Sequence, residues 1–315
     1  MSTRFGLFGG AGGASTFGMS ERVTIFLAPD MKASAEAGQH NFLARVERVL
    51  RGGGLEVCYA DERLRHQPFE GRALVHMWAP MTARTLVMRR VYAYPFWAIE
   101  PSDKRWEWGV AQAAFEPEGI NGAKAARFVE RWRKRMFGTA QARREGYVYV
   151  PLQGRISERR SFQAASPLEM IEAVLAADPT RSVVIGMHPK EPYSARDIDA
   201  LEAFEHRFAR VTVVTGQMER YLPACDYVVS QTSGAAFFGY FFGKPVALFG
   251  RIDFHHIAAN VHESTAPEAL GRVADMRPDF VRYLWWFWQE MSINAGRPEA
   301  EAQIAARFRG AGWIA

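Results

Sequence analysis

The chain has 315 residues, 48% of them hydrophobic, and a formal net charge of +5. That length holds one large domain or two of ordinary size, with a sizeable core. The mild basic excess suits an anionic ligand or a membrane surface. The basic residues are scattered and form no recognition motif, which argues against nucleic acid.

In chain order, the start, "MSTRFGLFGGAGGASTFGMSE", lacks the long apolar core of a secretory signal. Its glycines follow no strand, so residues 1–20 read as a flexible leader and not as a phosphate loop. "RVTIFLAP" then reads as a strand, "AGQHNFLARVERVLRG" as an amphipathic helix ending at Gly52, and "LEVCYAD" as a second strand. "RALVHMWAP" and "MRRVYAYPFW" read as further strands, so residues 21–140 form a Rossmann-like unit. The end of that unit is a basic helix with Arg131, Arg133, Lys134 and Arg135, read as a solvated face; an anionic-substrate or lipid-headgroup patch is the second reading.

The second unit, 141–275, is more regular. "GYVYVPLQ", "SVVIGMH", "RVTVVTG", "CDYVVSQ" and "KPVALFG" are strands, near-continuously apolar as buried parallel strands must be. Between them lie the helix of "SPLEMIEAVLAAD", with Ser166 as N-cap, Pro167 at its first position and Glu169 closing a capping box, and the helices of "SARDIDALEAFEHRF" and "SGAAFFGYFFG". Gly243 stops the last of these and Pro245 blocks continuation. The rest is helical, and the helices of 276–315 are expected to pack back across both halves. "YLWWFW" is too short to cross a bilayer and reads as a packed helix, with a bilayer-surface contact as the lesser reading. No run reaches the roughly 18 apolar residues of a membrane span. Cys58 and Cys225 sit in apolar strand-like surroundings, read as buried thiols of a reducing cytosol, and offer no zinc spacing.

Ligands of open parallel sheets bind beyond the carboxyl ends of the strands. Three such ends carry polar residues: Gln153 with Arg155; His188, Pro189 and Lys190; and Thr232, Ser233 and Gly234, where a helix N-terminus suits a phosphate. The plain alternative for Thr232 or Ser233 is a helix cap, and for His188 a structural histidine. Asp197 and Asp199 mimic a metal-holding Asp-x-Asp but open a helix just after Ser194, where acids favour the dipole. His255 and His256 are adjacent and expected to diverge, which disfavours a metal.

Taken together, "YVYVPLQGR", "HPKE", "CDYVVSQTSGAAFFGYFFGKPVALFGRIDFHHIA" and "YLWWFWQEMSINAG" resemble the capsular polysaccharide biosynthesis family, whose members are similar to Kdo transferases of capsule export. The likeness spans roughly residues 145–300. It implies an α/β fold of two Rossmann-like domains facing each other, GT-B-like, with the sugar donor in the carboxyl half and the acceptor against the amino half. It implies a nucleotide-sugar donor, CMP-linked by the His-Pro motif and the Thr232-Ser233 pair, a glycan or glycolipid acceptor, no cofactor and no metal. The place of action is cytoplasmic, with a peripheral inner-membrane contact as a further expectation. His188 is then the group that stabilises the leaving phosphate. Family members carry acids shortly after the glutamine of the "PLQ" strand, whereas Glu158 is the only acid here. Catalytic carboxylates are therefore sought in the amino half, among Asp30, Asp61, Glu100 and Glu116, with Asp30 the first choice and a turn or N-cap residue its plain reading. A UDP-sugar enzyme of the same fold and a non-catalytic scaffold of a polysaccharide assembly complex are the rival readings.

Overall fold

A computed structural model describes residues 21–315; the leader expected over 1–20 lies outside the described residues. The first sheet contains β1 (Arg22–Leu27), β2 (Glu56–Asp61), β3 (Arg72–His76), β4 (Thr85–Arg90) and β5 (Phe96–Glu100). The second contains β6 (Tyr147–Pro151), β7 (Ser182–Met187), β8 (Val211–Thr215), β9 (Tyr227–Ser230), β10 (Val246–Leu248) and β11 (Ala259–Asn260). A last short strand, β12 (Ile293–Asn294), returns to the first sheet, whose order is β12-β5-β4-β3-β1-β2.

The second sheet runs β11-β10-β9-β6-β7-β8, parallel throughout. Renumbered from its own first strand, this is the doubly wound 3-2-1-4-5-6 order, whose switch point falls between β6 and β9. Chain direction reverses there on leaving the sheet, so a crevice opens at the carboxyl ends of those two strands. The amino sheet is parallel from β2 to β4 and antiparallel at β5 and β12. The expected α/β fold of two Rossmann-like, GT-B-like domains is present.

"MRRVYAYPFW" is not one strand. It ends β4 and begins β5, with a tight reversal between them. Tyr92 takes φ 65° there and the Tyr94–Pro95 peptide is cis; a positive φ and a proline both interrupt a ladder. The capping box at Ser166/Glu169 forms as expected, a second closes at Ser194/Asp197 where a helix start was expected, and Gly243 ends its helix at φ 62°. Asp197 is thus a helix-start residue, and also accepts a bond from Ser157 Oγ at 3.0 Å. Cys225 is buried, but Cys58 is only half-buried, against Thr24 Oγ1 at 3.4 Å. That corrects the expectation of two buried thiols.

The "YLWWFW" segment, Tyr283 to Trp288, is wholly buried, each side chain 8% exposed or less. Helix Phe280–Trp285 runs on into a π-turn, Trp286–Glu290. Its rings join one core with Phe96, Phe128 and Trp132 of the amino half and Phe237, Tyr240 and Phe241 of the carboxyl half. Trp288 stacks on Phe96 at 4.5 Å and meets Phe241 at 5.2 Å. The chain then adds β12 and helix Ala300–Gly310, whose Ala300, Ile304 and Phe308 pack on Phe42, Leu43, Val46 and Leu50 of helix Asn41–Gly52. The terminal segment therefore crosses back as expected, and contributes a strand as well as helices.

Candidate active site

The carboxyl ends of both sheets face one cavity of about 710 Å³ between the halves, a size suited to a nucleotide-sized ligand. From the carboxyl half it is lined by Gln153 after β6, Thr232 and Gly234 after β9, and Arg251 and Ile252 after β10, with Phe162. The amino half contributes Met31 after β1, His76 and Met77 at the end of β3, Arg89 and Arg90 at the end of β4, and Trp97 at the antiparallel start of β5. Trp106 of the amino half packs on Phe162 of the carboxyl half at 5.6 Å.

At the switch point Thr232 Oγ1 donates to Gln153 Oε1 at 3.2 Å. This bond joins the ends of β9 and β6, two of the three strand ends singled out in the sequence. Thr232 and Ser233 divide their roles. Ser233 is buried and its Oγ accepts from the Ala235 amide at 3.3 Å, capping helix Gly234–Gly239; Thr232 faces the cavity. The Tyr92 ring lies against Gly234, where an added Cβ would meet it at 3.3 Å.

The third strand end stands apart. His188, Pro189 and Lys190 are exposed at the end of β7, outside the cavity lining. The His188 amide donates to the Tyr193 hydroxyl at 2.9 Å, and His188 Nδ1 accepts from the Lys190 amide at 3.2 Å. The turn reaches Gly154, the neighbour of Gln153, where an added Cβ would meet Glu191 Oε2 at 2.9 Å. Arg155 points outward at φ 62° and pairs with Glu158 at 2.8 Å, which occupies the single acid of that segment.

Of the carboxylates, Asp30 is exposed in the first turn of helix Pro29–Glu36, one residue before the cavity-lining Met31. Asp61 pairs with Arg63 at 2.5 Å, and the bond from Arg63 holds it down to about 2. Glu116 is exposed. Glu100 is buried, and burial raises its pKa; it accepts from the Gly109 amide at 3.2 Å. None of these four carboxylates lines the cavity.

Sequence reasoning missed Asp253. It is fully buried just beyond β10 and ties the two halves together. Arg105 Nη2 donates to its two oxygens at 2.9 and 2.7 Å, and Tyr92 Oη donates to Oδ1 at 2.6 Å. The Arg105 guanidinium also lies 4.3 Å from the centre of the Tyr92 ring. The cation-rich cavity wall was missed as well. Arg89, Arg90, Lys104, Arg105 and Arg251 line the space with one acid, Asp103. The "RR" at the end of a strand was the available signal.

His255 and His256 do not diverge; their rings stack at 4.3 Å and 18°. Their nitrogens are engaged, His255 Nε2 with Ala111 O at 3.1 Å, His256 Nε2 with Ala113 O at 3.1 Å and His256 Nδ1 with Tyr283 Oη at 2.9 Å. Burial moves His256 down to about 4. Among the described residues no three of His, Cys, Asp or Glu gather as a metal site would require, and no helix is long and apolar enough to cross a membrane.

No protein family and no curated protein matches the chain by sequence. Solved structures do match. Thermosulfurimonas dismutans KpsC, beta Kdo 2,7 transferase, superposes with a TM-score of 0.50 at 14% identity, covering 91% of this chain and 99% of that one. A second structure, Thermosulfurimonas dismutans KpsC, beta Kdo 2,4 transferase, gives 0.46 at 13% identity over 84% and 89%. The resemblance drawn from the carboxyl-half motifs therefore holds as a likeness of fold, and it extends through the amino half.

Proposed function

We propose that this protein is a glycosyltransferase of surface polysaccharide synthesis, moving a sugar from a nucleotide donor, CMP-linked, to a glycan or glycolipid acceptor. The observation that carries this is the Thr232–Gln153 contact at the switch point of the carboxyl sheet, opening on a cavity shared with the amino half. Switch-point crevices hold nucleotides in doubly wound sheets. The cavity's excess of cations suits a phosphate, and the likeness of fold to a Kdo transferase agrees. The donor's nucleotide lies against Gln153, Thr232 and Gly234, with Ser233 shaping the turn. His188, Pro189, Lys190 and Arg155 form the outer rim. His188 reaches the leaving phosphate when the turn after β7 closes over Gly154. Asp30, one residue before the cavity-lining Met31, is the amino-half carboxylate that takes the acceptor's proton. The reaction uses no divalent metal, since cationic side chains balance the single phosphate of a CMP leaving group. It takes place in the cytoplasm, with the acceptor presented at the inner membrane.

Calorimetry with CMP, UDP and GDP tests the donor. CMP binds at least tenfold more tightly than the other two, and EDTA leaves sugar transfer unchanged. Equal binding of all three removes the CMP assignment. Preferred UDP binding selects the UDP-sugar enzyme. Binding without turnover selects the scaffold.

A further inference from the structure

Arg89 is a cation without a counterion. It lies at the carboxyl end of β4, half-buried, and lines the cavity. Burial lowers its pKa, and the neighbouring Arg105 lowers it further. Asp253, the buried carboxylate that acts on it, is already bound by Arg105 and Tyr92. Among the described residues no side chain or carbonyl hydrogen-bonds or ion-pairs with the Arg89 guanidinium. Burying an unpaired charge is costly unless something pairs with it.

Asp253 and Asp103 favour its charge only through space, and neither pairs with it; the groups beside it on the wall are further donors. Arg90, the next residue on the same wall, is exposed to the cavity and likewise unpaired. Trp97 lines that wall, is 3% exposed, and its buried Nε1–H has no acceptor. His76 completes the wall, and burial moves it down to about 4, so it is neutral at physiological pH. The positive charge of this wall thus comes from the two arginines. A guanidinium presents a planar fork that matches a carboxylate or a phosphate.

We propose that Arg89, supported by Arg90 and the Trp97 indole, forms an anion subsite on the amino-half wall of the cavity, which takes a carboxylate or phosphate group of the bound ligand. The subsite is distinct from the Gln153–Thr232 contact across the cavity, though its place in a transfer reaction rests on the glycosyltransferase reading. The anion is either the donor's phosphate or an acidic group on the acceptor sugar.

The probes are inorganic phosphate, D-galacturonate, D-galactose and CMP, titrated by calorimetry into the full chain and its Arg89→Met and Arg89→Lys variants. Phosphate and galacturonate bind, galactose binds at least tenfold more weakly than galacturonate, and Arg89→Met loses at least tenfold in affinity for both anions. Arg89→Lys recovers part of that loss. The melting temperature of Arg89→Met matches the natural chain or exceeds it, because an uncompensated charge has been removed. If the anion is the donor's phosphate, CMP affinity falls at least tenfold in Arg89→Met and CMP displaces galacturonate. If it belongs to the acceptor, CMP affinity stays within twofold and galacturonate binds alongside CMP. Unchanged anion affinity in Arg89→Met overturns the subsite, and so does a fall in its melting temperature of more than about 4 °C, which assigns Arg89 to the fold. Loss of anion binding in a protein that binds no nucleotide keeps the subsite and removes the transferase reading.

Discussion

His188 shows how much a single position depends on its setting. It ends an apolar strand, is exposed, and makes local bonds to the Lys190 amide and, through its backbone, to Tyr193 and the Glu191 amide. Its truncation leaves no cavity and strands no buried partner, so His188→Ala melts within about 0.5 kcal/mol of the natural chain. If His188 closes on the leaving phosphate as proposed, the same variant loses roughly 10²–10³ in transfer rate, the effect of removing one transition-state donor. Initial rates and thermal melting on one preparation measure both. A near-normal rate moves the phosphate contacts to Thr232 and the cavity arginines. Asp253 is the opposite case. Nothing around it in "RIDFHH" announces a buried acid, and its role exists only because Arg105 and Tyr92, about 150 residues earlier, converge on it.

At the scale of elements, local chemistry was the most legible. The helix Pro167–Ala177 begins where Ser166, Pro167 and Glu169 say it should, because its capping box closes within four residues. Ser166→Ala removes an acceptor for the Glu169 amide and costs about 0.5–2 kcal/mol. Urea unfolding measures it, and CMP affinity stays unchanged because the cap lies outside the cavity lining. The reversal between β4 and β5 was not legible. Its sequence is continuously apolar and aromatic, and a run of that kind reads as one strand. The turn is held by tertiary contacts: Tyr92 at φ 65° lays its ring on Phe237 at 4.3 Å and sends its hydroxyl to Asp253. Pro95 is the one local signal of the bend; the rest of it depends on a distant partner.

For the whole molecule, the decisive feature is that the two sheets, each with a core of its own, share a further core where they meet. Rings of both halves and of the returning segment mesh in one cluster, and the Asp253–Arg105–Tyr92 contact closes the join beside the cavity. An interface this large and apolar couples the two halves, because unfolding either one exposes the shared rings of the other. Scanning calorimetry of the chain therefore gives one transition. Asp253→Asn leaves the Arg105 charge without its counterion and lowers stability by about 3–5 kcal/mol, still within a single transition. Two resolved transitions, or an Asp253→Asn variant as stable as the natural chain, refute this account.

The sequence alone determined whatever is written in neighbouring residues: the alternation of strands and helices in the carboxyl half, the capping box at Ser166, the stop at Gly243, and the polar residues at the ends of β6, β7 and β9. These follow from backbone hydrogen bonding and side-chain periodicity, which act over a few residues. Tertiary structure alone decided which strand ends meet. It brought Gln153 and Thr232 within 3.2 Å and left His188 on the rim. It divided Thr232 from Ser233, bent "MRRVYAYPFW" back on itself, and placed Arg89 in a wall where no acid pairs with it. Strand order and the packing of distant faces settle such matters, because charge pairing and burial depend on what lies across the cavity and not on what stands next in the chain.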